Sequence, residues 1–161
     1  MSQSGSFGVN YKKTFLSTDV ALPAAVLARG NNKFGEFLFC LAGGAIAQYA
    51  AVGVTSAGSA TELTTTTYAA SMAVGFAQVA VASGEYFWLW IGNGGGTNSG
   101  IKGKVAASYA AYGVIHTTAT AGVVDDAATK VLGGVVGLTT DGGSGSSVEL
   151  FAVTVIHKVT L

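Results

Sequence analysis

The sequence predicts an all-β fold, a single-domain antiparallel β-sandwich or barrel with an extended N-terminal arm. Two observations indicate this class. From residue 21 onward, short apolar runs are separated by Gly, Asn and Ser, which is typical of many short strands joined by tight turns. The 161-residue chain also has 24 glycines and one proline, a balance that suits such turns. We therefore expect residues 1–20 to form the arm and residues 21–161 to form one domain.

The first twenty residues show neither helical nor strand periodicity. Three aromatic residues, Phe7, Tyr11 and Phe15, are widely spaced among small polar side chains. A terminus of this kind is loosely ordered unless it docks on a surface. That surface is either a partner protein or the chain's own domain.

Eight strands are expected in the domain. Turns at residues 30–32 and 42–44 precede the first two strands. The strands are predicted at residues 33–41, 45–55, 63–67, 77–82, 86–91, 100–108, 131–138 and 149–160. Two windows favour a short helical turn instead: residues 68–74, because Ala and Met are helix formers, and residues 125–130, because two aspartates suit a helix N-terminus.

Residues 74–96 form the most informative segment, because they predict a hairpin whose second strand is apolar on both faces. Side chains alternate along a strand. One face therefore carries Phe87, Leu89 and Ile91, and the other carries Tyr86, Trp88 and Trp90. An antiparallel sheet in a small domain usually exposes one face to water, so two apolar faces predict a sandwich core on one side and a second subunit on the other.

The last predicted strand has the clearest alternation of side chains. One face carries Phe151, Val153, Val155 and Val159, and the other carries Ala152, Thr154, Ile156, Lys158 and Thr160. This segment is therefore predicted to be a long strand with two distinct faces.

The charge content favours association with other proteins. Charged residues make up 10% of the chain, and eight Lys and Arg balance eight Asp and Glu, whereas typical soluble domains are about 25% charged. Little self-repulsion therefore opposes assembly. Lys12 and Lys13 are the only adjacent basic pair, with Lys102 and Lys104 forming a weaker one, so the cation clusters that bind nucleic acid are missing. We expect no nucleic-acid partner.

Other features argue against a membrane or secreted protein. Residues 37–61 are uncharged, but glycines and polar side chains interrupt them, so short strands explain the run better than a membrane span. The first residues lack the apolar segment of a secretory leader, and we expect synthesis in the cytoplasm. Cys40, the only cysteine, excludes an internal disulfide and is expected to be a small buried apolar residue.

No motif predicts catalysis, a cofactor or a metal. The GNGGG run at residues 92–96 lacks the spacing of a phosphate-binding loop. His116 and His157 are too few for a metal site. Asp125 and Asp126 are adjacent, and the interpretation we favour is capping or turn formation rather than acid–base chemistry. No credible Gly-x-Ser-x-Gly elbow occurs, and we expect a protein that is not an enzyme.

Three segments together resemble one class of protein. They are residues 34–54 (FGEFLFCLAGGAIAQYAAVGV), residues 74–96 (VGFAQVAVASGEYFWLWIGNGGG) and residues 112–140 (YGVIHTTATAGVVDDAATKVLGGVVGLTT). In their residue patterns and in the order in which they occur, these segments are similar to the decoration, or cement, proteins of tailed-bacteriophage heads. The resemblance implies a β-rich virion protein that binds the outer surface of the expanded capsid and clamps neighbouring subunits of the major capsid protein. It also implies oligomerisation and a terminal arm that bridges the lattice.

From this resemblance we expect two sets of interface residues. The candidates for capsid contact are Phe7, Tyr11, Lys12, Lys13 and Phe15. The candidates for a subunit interface are Tyr86, Trp88 and Trp90, because aromatic residues are enriched at interfaces; ordinary core packing is the alternative. We expect a homotrimer before a homodimer. A head fibre or receptor-binding knob and a small enzyme are the alternative functions.

Overall fold

A computed structural model describes residues 9–16, 18, 26–127, 130–140 and 146–159. These residues form twelve strands and no helix, which confirms the all-β class. In chain order the strands are β1 (Thr14–Phe15), β2 (Arg29–Asn32), β3 (Gly35–Ala42), β4 (Ala51–Val54), β5 (Ser59–Glu62), β6 (Ala73–Ala77), β7 (Tyr86–Gly95), β8 (Lys102–Lys104), β9 (Val114–Thr117), β10 (Val124–Asp125), β11 (Lys130–Gly137) and β12 (Ser147–Lys158).

Five of these strands close into a barrel in the order β3, β7, β6, β4 and β5. The pairings are antiparallel except for β3 with β5, which run parallel where Leu41 faces Ser59 and Ala42 faces Ala60. Small barrels are filled by their own side chains. Here the interior holds a cluster of buried apolar residues that includes Phe87, Leu89, Ile91, Leu38, Cys40 and Val52.

A second layer extends from the long strand β7. The carboxyl half of β7 pairs with β12, which in turn pairs with β11 and β8, and β11 pairs with β9. This layer packs on the outside of the barrel. A separate apolar core lies between them, with Phe37, Phe76 and Trp90 from the barrel and Ile101, Tyr109, Ile115, Leu132 and Leu150 from the second layer.

The two faces of β7 follow the predicted alternation. Phe87, Leu89 and Ile91 point into the barrel, while Trp90 belongs to the outer core with Trp88 packed against it. Both faces are covered within one chain. The predicted hairpin is also present, since β6 pairs with β7 through Phe76 facing Trp90.

Several boundaries differ from the predictions. No strand covers residues 63–67; these residues turn, and the strand lies earlier, at β5. The reason is local, because the hydroxyl groups of Thr64 and Thr67 bond to each other and to the backbone N–H groups of the same two residues, which favours a turn over a strand. The predicted turn at residues 30–32 belongs to β2, and the reversal occurs at residues 32–35, where Asn32 Oδ1 accepts a hydrogen bond from the Phe34 N–H at 2.8 Å.

The two predicted helical windows were wrong where the structure describes them. Residues 68–72 form turns and β6 begins at Ala73. Asp125 ends β10 and Lys130 begins β11, while residues 128 and 129 lie outside the described part of the chain.

Candidate functional site

Residues 9–16 lie against the outer face of the barrel, and we call this segment the N-terminal strap. Thr14 pairs with Phe87 and Phe15 pairs with Tyr86, so the strap adds a two-residue strand to β7. Asn32 Nδ2 donates a hydrogen bond to the carbonyl oxygen of Val9 at 3.4 Å. The strap is therefore bound to its own domain by backbone pairing and a side-chain hydrogen bond.

Aromatic packing holds the strap in place. The Tyr11 ring stacks on Phe37 with 5.2 Å between centroids and meets the edge of Phe34 at 5.9 Å. Phe15 meets Phe39 at 5.9 Å. Offset and edge-to-face contacts of this length are favourable beyond the area they bury. The strap thus covers an aromatic surface that would otherwise face water.

Cationic side chains rest on the outside of this aromatic layer. Lys12 Nζ lies 5.7 Å from the Tyr11 ring centroid, and Lys13 Nζ lies 5.4 Å from the Phe15 centroid. Lys33, in the turn between β2 and β3, lies 4.8 Å from the Phe34 centroid. All three lysines are exposed, and a cation over an aromatic face is attracted to it.

The neighbouring strand β2 adds one more cation. Arg29 is exposed and its guanidinium lies 3.7 Å from a Glu36 carboxylate oxygen. The other oxygen of Glu36 accepts a hydrogen bond from Asn93 Nδ2 at 2.9 Å. Four of the eight Lys and Arg residues of the chain therefore lie on the strap and the β2–β3 hairpin; they are Lys12, Lys13, Arg29 and Lys33. We call this set the cationic surface.

The structure separates the predicted capsid-contact residues by exposure. Lys12 and Lys13 are exposed, Phe15 is half-buried, and Tyr11 is buried with 7% of its surface accessible. Phe7 lies outside the described residues. Tyr11 therefore positions the strap on the barrel, and the exposed lysines beside it are the groups free to meet another molecule.

The predicted subunit-interface residues are also covered by the chain itself. Trp90 is fully buried, and its indole N–H donates to the carbonyl oxygen of Phe34 at 3.0 Å. Tyr86 is 6% exposed and stacks on Phe39 at 5.7 Å. Trp88 is half-buried and contacts Phe39 at 5.0 Å. For Trp90 this is the core packing that the sequence left as the alternative.

An exposed apolar surface lies elsewhere, on the outer face of the second layer. Val136 of β11 faces Val114 of β9 on one side and Phe151 of β12 on the other. Val153 follows Phe151 on the same face. Val114, Phe151 and Val153 are 52%, 39% and 67% exposed, and we call these four residues the apolar ladder.

A shallow cavity of about 340 Å³ lies within the ladder. Its floor is formed at Gly133 and Gly134, where the pairing of β11 with both neighbours shifts register. Gly134 has a φ of 86°, a backbone conformation that glycine adopts without strain. None of the described residues that line the cavity is ionisable.

Sequence reasoning missed the ladder, although it placed Phe151 and Val153 on one strand face. The opposite face of β12 also carries buried apolar side chains, among them Leu150, Ala152 and Ile156. A strand with apolar residues on both faces needs two coverings. That signal was recognised on β7 but not on β12.

Three titratable side chains of the second layer, Asp125, Asp126 and His116, lie close together. Asp126 accepts a hydrogen bond from the Ala110 N–H at 2.8 Å, and this bond holds the pKa of the Asp126 carboxyl below its ordinary value. His116 faces Asp125 across the β9–β10 pair, and its buried Nδ1 atom has no hydrogen-bond partner. No group of three metal-ligating side chains occurs among the described residues.

Cys40 lies inside the barrel with its Sγ atom 3.4 Å from the carbonyl oxygen of Leu38. The residue is fully buried, and burial strongly raises the pKa of its thiol. A thiol in this state is a poor nucleophile. Cys40 therefore fills space in the barrel, as its sequence context predicted.

Comparison with known proteins gave no match, either to a protein-family model or to a curated protein. Within the described part of the chain, no helix has the length and hydropathy needed to span a bilayer.

Proposed function

We propose that this chain is a structural virion protein that binds the outer capsid surface and stabilises contacts between subunits of the major capsid protein. The observation that carries this proposal is the strap, which holds Lys12 and Lys13 exposed over a fixed aromatic layer. A preorganised contact loses less conformational entropy on binding than a flexible tail. The similarity of three segments to phage-head decoration proteins supports the same role.

The cationic surface specifies the chemistry of the contact. Lys12, Lys13 and Lys33 are exposed, and the aromatic rings beneath their ammonium groups attract the charges without neutralising them. Such a surface fits carboxylates and carbonyl oxygens on a neighbouring protein. Because exposed charges are screened within about 8 Å at physiological salt, binding through this surface should weaken as salt rises.

The proposed mechanism is additive. Each copy covers a seam between capsid subunits, and an interface of ordinary size buries about 1,600 Å² in total. The same contact repeats over the shell, so modest individual affinities combine to resist internal pressure. Within this proposal the partners are the major capsid protein and further copies of this chain, as a homotrimer or a homodimer. No step needs a cofactor or turnover.

The first test is the copy number of the chain in purified, salt-washed virions, measured by quantitative mass spectrometry against the major capsid protein. We expect a ratio of order one per capsid subunit, because decoration follows the lattice. A few dozen copies per particle would instead favour a head fibre or receptor-binding knob. Absence from the particle would overturn the structural role.

The second test is binding to capsids that lack this chain. We expect the Lys12→Ala/Lys13→Ala variant to bind at least about tenfold more weakly, since two charge-assisted contacts are lost. The matched control, Lys104→Ala/Lys130→Ala, removes the same charge outside the cationic surface. Equal binding by both double variants would exclude the strap lysines as the contact.

A further inference from the structure

We propose that the strap and the β2–β3 hairpin form one binding surface, that Phe34 is the residue that positions its two halves, and that the partner is an acidic patch on a folded capsid subunit. This inference rests on the proposed function and deepens it. The strap lysines carry that function, and Lys33 completes the contact from the hairpin side.

The backbone of Phe34 is anchored on both sides. Its N–H donates a hydrogen bond to Asn32 Oδ1 at 2.8 Å. Its carbonyl oxygen accepts two hydrogen bonds, one from the Trp90 indole N–H at 3.0 Å and one from the Gly95 N–H at 2.9 Å. Trp90 is fully buried, so these bonds tie the tip of the hairpin to the core.

The Phe34 ring contacts both halves of the surface. On the strap side it meets the Tyr11 ring edge to face, with 5.9 Å between centroids and an angle of 81° between the planes. On the hairpin side Lys33 Nζ lies 4.8 Å from its centroid. Lys12 Nζ lies 5.7 Å from the Tyr11 centroid. Two contacting rings therefore connect the Lys12 and Lys33 ammonium groups, and the separation of these groups cannot exceed the sum of the three distances.

The charges of this surface are mainly of one sign. Residues 9–16 and 29–36 carry four cationic side chains and one acidic side chain, Glu36. Glu36 pairs with Arg29, and this is the only ion pair among the residues that the structure describes. The three lysines of the cationic surface thus have no carboxylate partner within the chain. Carboxylates on a neighbouring protein are complementary to them.

The anchoring of the surface favours an ordered partner over a flexible acidic tail. Cations at a fixed separation gain most from carboxylates that are held at a matching separation, because neither side then loses conformational freedom on binding. Subunits of a capsid repeat on a lattice, so their surface carboxylates occupy such fixed positions. A nucleic acid is a poorer match, since its binding relies on many phosphate contacts and this surface offers few cations.

The test is binding of the full chain to capsids that lack it, measured at low and at high salt. We expect Lys33→Ala to bind about threefold more weakly at low salt and to lose less at high salt, because one exposed charge contact is removed. Phe34→Leu removes no charge. It should bind about tenfold more weakly at both salt concentrations, because binding then has to order the two halves of the surface. Phe34→Tyr keeps the ring and should restore binding.

A second measurement uses the purified chain alone. Amide hydrogen exchange reports how firmly a segment is held. In Phe34→Leu the strap should exchange about fivefold faster, because the edge contact with Tyr11 is lost. The amides of β4, inside the barrel, should be unaffected, and circular dichroism checks that the fold is retained.

The matched controls make the same changes outside the cationic surface. Lys130→Ala removes an exposed charge from β11. Phe151→Leu replaces a ring on β12 that is 39% exposed. Both variants should bind capsids like the unsubstituted protein, and their straps should exchange at its rate.

Three results would overturn the inference while leaving the proposed function intact. Unchanged capsid binding by Lys33→Ala would exclude the hairpin from the contact. Unchanged strap exchange in Phe34→Leu would show that this ring does not position the strap. A loss of binding in Phe34→Leu that vanishes at high salt would identify a charge effect in place of positioning. An unsubstituted chain that binds no capsid would instead overturn the proposed function, and the acidic capsid partner with it.

Discussion

Gln78 and Lys102 are joined by two hydrogen bonds that link the β6–β7 hairpin to the second layer. The amide nitrogen of Gln78 donates to the carbonyl oxygen of Lys102, and the Lys102 N–H donates to Gln78 Oε1, each at 2.9 Å. Gln78 is 3% exposed and also donates to the carbonyl oxygen of Phe76. One buried side chain thus satisfies backbone groups from two segments far apart in sequence.

Replacing this side chain by an apolar one should be costly. In Gln78→Leu the Lys102 N–H and carbonyl groups lose their partner in a partly buried setting, so we expect the free energy of unfolding to fall by about 1–3 kcal/mol. The measurement is urea denaturation monitored by tryptophan fluorescence. Gln48→Leu is the control, since Gln48 is exposed and makes one 3.3 Å bond. If Gln78→Leu and Gln48→Leu lower the free energy of unfolding equally, the two Gln78–Lys102 hydrogen bonds stabilise the fold no more than the single bond of Gln48 does.

Removing the Tyr11 ring should destabilise the strap. Tyr11→Ala removes the stack on Phe37 and the edge contact with Phe34, and we expect a loss of about 2–4 kcal/mol of unfolding free energy. Tyr112→Ala is the matched control, because Tyr112 is 70% exposed and its loss should change stability by less than about 0.5 kcal/mol. Guanidinium denaturation compares the two. A Tyr11→Ala protein as stable as the original would mean that the strap contributes nothing to the fold.

A methyl group at Gly134 should strain the floor of the ladder cavity. The Cβ of Gly134→Ala would clash with Thr154 Oγ1, and the residue has a φ of 86°. Gly84 has a similar φ of 82° with open space around its Cβ position, so Gly84→Ala measures the backbone cost alone, about 1–2 kcal/mol.

We expect Gly134→Ala to lower the thermal midpoint further than Gly84→Ala does. Adding Thr154→Ala removes the clashing oxygen and should recover the difference between them. Equal thermal midpoints for Gly134→Ala and Gly84→Ala would show that the Thr154 side chain moves aside without any loss of stability.

Acid should weaken the fold in part through Asp126. Its pKa is lowered in the folded state, first by the hydrogen bond from the Ala110 N–H. A carboxylate with a depressed folded pKa adds stability above its unfolded pKa, and this contribution is lost as pH falls through the folded value. The loss should therefore occur below the ordinary value of 3.8.

The comparison is Asp126→Asn, whose side-chain oxygen still accepts a hydrogen bond but does not titrate. We expect its urea midpoint to change less than that of the original protein between about pH 5 and about pH 2.5. An identical pH dependence in the two proteins would rule out a contribution from Asp126.

The sequence was sufficient to predict the fold class and the alternation on β7, because both depend on local rules. Turn residues separate the strands, and the period of two places Phe87 and Trp90 on opposite faces whatever surrounds them. What covers each face depends on contacts distant in sequence. Trp90 is buried in the core that it shares with the second layer, and Trp88 packs against the same core, to which Val9 contributes from nearly eighty positions away.

The threonine run at residues 64–67 shows why a residue type can mislead. Threonine favours strands because its side chain is β-branched, yet its hydroxyl also bonds to nearby backbone groups. Here the reciprocal hydrogen bonds of Thr64 and Thr67 outweigh the strand preference, and the segment forms a turn. No local signal in the sequence separates the two outcomes. The exposure of the ladder likewise follows from which face of β12 the barrel covers.

The position of β7 between two cores has a consequence for how the molecule comes apart. Its inner side chains complete the barrel interior and its outer side chains complete the second core. If β7 separates from one core, the side chains of the other core are exposed to water as well. The barrel and the second layer should therefore melt in one transition, and a destabilising change in either should be felt across the whole protein.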